Sequence, residues 1–130
     1  MRVGVCLRRD VELMIKALEF IEEHNTATNT IVVSIEGYDT EEEKEFVQYQ
    51  VKLLKDAGFI NAKEMNQPYE LYVRSMTVQG HEFLDSARDK NIVQTAKDIA
   101  KSKGSELFSL PIEIIKGLLG EAAKKYFFGS

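Results

Sequence analysis

Two short strings near the middle of the chain limit its fold more than any other feature. The first, Leu53-Leu54-Lys55-Asp56-Ala57-Gly58-Phe59-Ile60, ends an apolar helical stripe on a glycine and passes straight into an extended segment. A glycine just beyond the last helical residue can turn left-handed without a Cβ penalty, so it closes the helix. The second, Thr77-Val78-Gln79-Gly80-His81-Glu82-Phe83-Leu84, opens another helix. Between them Asn66-Gln67-Pro68 interrupts the extended run, and Leu71-Tyr72-Val73-Arg74-Ser75-Met76 resumes it with alternation, which predicts a β-hairpin.

Upstream, Val11, Met14, Ile15, Leu18, Phe20 and Ile21 fall largely at helical spacing behind Asp10, a natural N-cap, so a first helix is expected over about Asp10 to His24. A histidine, His24, stands at its end, where a basic residue suits the helix dipole. The β-branched run Ile31-Val32-Val33-Ser34-Ile35 reads as a strand. Asp39 or Thr40 then caps a second helix whose first turn holds Glu41, Glu42 and Glu43 at the positive end of the dipole. Downstream, the helix opened by Thr77 is expected to continue to about Ser102, with Arg88-Asp89-Lys90 on its wet edge. A last helix follows over about Leu110 to Phe128, with Pro111 in its first turn. The division expected is a domain over 1–104 and a C-terminal amphipathic helix over 105–130.

The chain of 130 residues has a net charge of -4, 44% hydrophobic and 29% charged residues, which fits an ordinary folded domain. Cys6 stands alone, so neither an internal disulfide nor a cysteine-based zinc or redox site can be assembled, and a reducing cytosol is the expected location. The apolar stretch Met1 to Leu7 is cut short by Arg8-Arg9-Asp10, and no membrane span is expected. No phosphate loop, nucleophile elbow or Walker pattern occurs, so the expectation is a non-enzyme without a cofactor. His81 and Asp85 lie one turn apart, but two groups without a third make a poor metal site.

Recognition helix, wing and closing helix form the usual local grammar of a winged helix, and the fold class expected is therefore α+β, winged helix-turn-helix-like, with a hairpin wing and additional C-terminal helices. The scaffolding helix normally found before the recognition helix is shortened or replaced, because a strand occupies that interval. Together with Arg9-Asp10-Val11-Glu12-Leu13 and Gly80-His81-Glu82-Phe83-Leu84-Asp85-x-x-Arg88-Asp89, the chain resembles the bacterial and prophage-encoded family called domain of unknown function 2513 over about Arg8 to Phe127. The resemblance implies a winged-helix fold and carriage on mobile elements. It implies no activity.

Were the second helix to enter a major groove, its leading half would present Glu41, Glu42, Glu43 and Glu45 against Lys44. One side offers an alternative: Lys44, Gln48, Lys52 and Lys55 recur at helical spacing, and Lys63 and Arg74 extend the set onto the hairpin. These six are the candidate nucleic-acid residues, weighed against an ordinary solvated helix face. The leading expectation is a DNA-binding regulator of a mobile element; the alternative is a winged helix used for protein-protein contact. The C-terminal segment, with Leu110, Ile112, Ile114, Ile115, Leu118, Leu119, Ala122, Ala123, Tyr126, Phe127 and Phe128, carries more apolar surface than one exposed helix can hide. Three covers are open to it: the chain's own core, a second copy in a homodimer, or a membrane surface met by Lys116, Lys124 and Lys125.

Overall fold

The computed structural model describes residues 7–129, so Cys6 and the stretch before Leu7 lie outside the described residues. The fold is α+β: among the described residues there are five α-helices and one two-stranded antiparallel hairpin, in two compact units that divide after Gly80.

The first unit opens with α1, Val11–His24, capped by Asp10, whose carboxylate accepts the Leu13 N–H at 3.1 Å. Its apolar stripe buries Val11, Leu13, Met14, Ala17, Leu18 and Ile21. Helix α2, Glu41–Asp56, starts at a capping box: Thr40 Oγ1 accepts the Glu43 N–H, and the Glu43 carboxylate accepts the Thr40 N–H, each at 3.1 Å. Strands β1, Ile60–Asn66, and β2, Tyr69–Met76, form the hairpin, with Ile60 opposite Met76 and Lys63 opposite Tyr72. The core between these elements holds Phe59, Ile60, Leu71 and Val73 beside Val47, Val51 and Leu54 of α2.

The run Ile31–Ile35 does not form the expected strand. Ile31 exchanges two main-chain hydrogen bonds with Val73, at 2.8 and 3.0 Å, and the pairing stops there. The cause is a buried side chain. Gln48 inserts its amide between the two segments, donating to the Val33 carbonyl at 2.8 Å and accepting the Leu71 N–H at 3.0 Å, so both main-chain groups are satisfied through the amide rather than by each other. Gln50 makes the same kind of joint elsewhere, donating to the Arg8 carbonyl and accepting the Asp10 N–H, each at 2.8 Å.

The two constraining strings meet in space. Gly58 adopts φ +81°, and the Thr77 hydroxyl donates to its carbonyl at 2.6 Å while accepting the Gly80 N–H at 3.1 Å. A Cβ on Gly80 would collide with the Phe59 carbonyl oxygen and lie 2.7 Å from Met76 Cγ. Only glycine fits that crossing.

Helix α3, Val78–Arg88, does not run on to Ser102. It breaks at Asp89, which caps a separate helix α4, Lys90–Ser102, by accepting the N–H groups of Asn91 and Ile92 at 2.9 and 3.1 Å. Within the second unit α4 packs on α5, Ile112–Phe128, through Ile92, Ala96 and Ala100 on one side and Ile115, Leu119 and Ala122 on the other. A 3-10 turn, Leu107–Ser109, joins them and buries Leu107. Pro111 precedes the first residue of α5 rather than standing inside it. Among the described residues no helix is long and apolar enough to cross a membrane.

Candidate nucleic-acid interface

The six candidate residues do not form one surface. Gln48, in the middle of the expected stripe, is only 3% exposed, and its amide oxygen and nitrogen are both committed to main-chain partners. It has no atom to offer a base. Lys44 lies in a depression beside Glu41, Glu45 and Glu70, where any phosphate would meet three carboxylates for one ammonium. Lys52 is held by Asp56 one turn on, Nζ to Oδ2 at 2.8 Å; that hydrogen bond, and then the Asp56 charge, keep its pKa above the usual lysine value.

Lys55, Lys63 and Arg74 do come together. They line one shallow concavity with Gly58, Ile60, Asn61, Ala62 and Thr77. No carboxylate lines it, and all three cations have exposed side chains with no ion pair among the described residues. Three elements supply them: the last turn of α2, strand β1 and strand β2.

Local geometry explains the convergence. Asn61 and Lys63 share one face of β1 because strand side chains alternate. In β2 the register steps from Asn61–Ser75 to Ala62–Val73, which leaves Arg74 as the extra residue of a β-bulge. A bulge turns its residue out of the regular alternation and re-aims the side chain. The Arg74 carbonyl is anchored by Asn25 Nδ2 at 3.2 Å, and the Asn61 amide donates to Ser75 Oγ at 2.9 Å. Asn61 and Thr77 were not among the residues expected at a binding surface. The signal for Asn61 was its place two residues before Lys63; Thr77 had none, because its lining role depends on the fold of the turn.

Asp85 pairs with Arg88 at 3.0 Å, and no group of three or more metal-ligating side chains gathers among the described residues. Tyr69, beside the Lys44 depression, has its phenol pKa raised by burial and then by the Glu64 carboxylate. In the second unit, α5 leaves Ile114, Tyr126, Phe127 and Phe128 exposed, the last two at 70% and 77%.

An α+β domain with a hairpin and a small cationic concavity is the class that these features define. The chain belongs to the family described as "Hypothetical protein (DUF2513)", which it matches over residues 8–106. A protein of Haemophilus influenzae described as "Uncharacterized protein" is 32% identical over 104 residues, 78% of this chain and 85% of its own length. No solved structure matches the chain.

Proposed function

We propose that the chain is a non-enzymatic binding module on a winged-helix plan, and that it grips duplex DNA through phosphates at the Lys55, Lys63 and Arg74 concavity. The plan is supported by the order of parts: α1, the Ile31–Val73 bridge in place of a first strand, α2, then the hairpin as wing. The observation that carries DNA as ligand is the meeting of three exposed cations, from three elements, in a hollow without a carboxylate. Phosphate contacts of this kind supply most non-specific DNA affinity and release counterions on binding. The setting we propose is regulation within a mobile element, which rests on the family resemblance.

The test is a titration of the intact chain into labelled duplex at low and moderate salt, alongside the Lys55→Ala, Lys63→Ala, Arg74→Ala triple variant. Binding at low salt that weakens with salt and is lost in the variant supports the proposal. No binding at low salt removes it, and favours the rival in which the acidic first turn of α2, with Glu41, Glu42 and Glu43, meets a basic protein partner.

Self-association through α5 is a second proposal, supported by the exposed Ile114, Tyr126, Phe127 and Phe128. Sedimentation of the intact protein as a dimer at tens of micromolar is the expected result; a monomer throughout removes it.

A further inference from the structure

We infer that the chain holds duplex DNA by its backbone alone, against the C-terminal end of α2 and the hairpin, and so binds without preference for base sequence. This deepens the DNA-binding reading above and rests on it. Base readout in a helix-in-groove mode is carried by side chains on the leading half of the helix. Here that half carries Glu41, Glu42, Glu43 and Glu45, and a carboxylate pressed toward a groove is repelled by the phosphates on either side.

The two amide side chains of α2, the groups best suited to read a base there, are taken. Gln48 is buried with both amide ends occupied, Gln50 likewise, and Glu43 is turned back on the Thr40 main chain by the capping box. The cations lie at the opposite end of α2. Lys55 stands one residue before its last, and Lys63 and Arg74 stand on the two strands of the hairpin. Contacts from such cations to phosphates position a protein on DNA and carry no sequence information.

Three phosphate contacts predict a shallow salt response. At a slope of roughly -0.9 per contact, affinity falls by about 40-fold between 50 and 200 mM salt. A protein making six or more contacts would lose on the order of a thousandfold over the same interval.

The experiment is a selection by the intact protein from a pool of duplexes with a randomised centre, with the salt dependence measured on the unselected pool. Expected are a bound pool whose base composition matches the input, a loss of about 40-fold over that salt interval, and Lys44→Ala binding like the unmodified chain. Recovery of a sequence motif overturns the inference, since it requires contacts to bases, and so does a Lys44→Ala loss equal to that of Lys55→Ala, since it puts the DNA against the leading half of α2. Both results leave DNA binding standing. Failure to bind the pool at low salt removes the DNA-binding reading itself, which separates the two failures.

Discussion

Gln50 is fully buried and joins the chain before α1 to α2 through the Arg8 carbonyl and the Asp10 N–H. Truncating it opens a cavity and leaves two part-buried main-chain groups without their partner, and an unsatisfied buried group costs about 1–3 kcal/mol. Gln50→Ala is therefore expected to lower stability by about 2–4 kcal/mol, read as a fall in the denaturant midpoint; a loss below about 1 kcal/mol would mean that water replaces the amide. The capping box makes a weaker, titratable contribution. Hydrogen bonds from the Thr40 backbone and then from its hydroxyl group hold the Glu43 pKa below the usual carboxylate value. Because the folded pKa is depressed, the stabilisation is complete above the unfolded pKa and is lost as pH falls through the folded one. Thr40→Ala should cost about 1 kcal/mol at neutral pH. In Glu43→Gln the decline of stability on acidification should be shallower than in the unmodified chain, and an identical acid limb in the two would show that the charge contributes nothing.

The break between α3 and α4 depends on one carboxylate, because Asp89 alone satisfies the N–H groups of Asn91 and Ile92. Asp89→Ala should lower stability by about 1 kcal/mol, with the loss of amide protection from hydrogen exchange confined to the first turn of α4. Loss spread evenly over both helices would mean that they behave as one. That break was hidden in the sequence, where neither glycine nor proline marks it and the aspartate sits between two basic residues, as on many wet helix edges. By contrast, α1, α2 and the hairpin were legible because their signals are local: a cap, a stripe, a glycine, a turn. The missing strand at Ile31–Ile35 was not legible, since β-branched composition cannot reveal that Gln48 will stand where its partner should be. The same residue explains why the candidate surface was only partly readable. Helical spacing placed Gln48 on a wet stripe between Lys44 and Lys52, and only the packing of segment 31–35 and β2 over that face shows otherwise. Lys55, Lys63 and Arg74, read as a helix stripe extended onto the hairpin, line one concavity, but the bulge that aims Arg74 has no sequence mark.

With a net charge of -4, the chain as a whole repels polyanions, so any attraction must come from a local concentration of cations rather than from its overall field. The bulge at Arg74 bears on more than that attraction. It works as a spacer: one residue outside the ladder sets the phase in which the chain leaves β2 and reaches Thr77 and Gly80. Remove one residue there, and every later position is read one place early. Val78, with no hydroxyl, would arrive where Thr77 bonds Gly58, and His81 would offer its Cβ to the Phe59 carbonyl where only Gly80 fits. The length of this segment is thus more tightly constrained than its composition. Arg74→Ala, at an exposed side chain, should change stability by no more than about 0.5 kcal/mol, whereas deletion of Arg74 should cost about 3 kcal/mol or prevent folding. Urea midpoints for the two variants compare them directly, and equal tolerance would mean that the hairpin can slip to absorb the missing residue. If it cannot, chains that share this crossing can vary freely in what they present at position 74 while keeping the same reading frame from Val73 to Gly80.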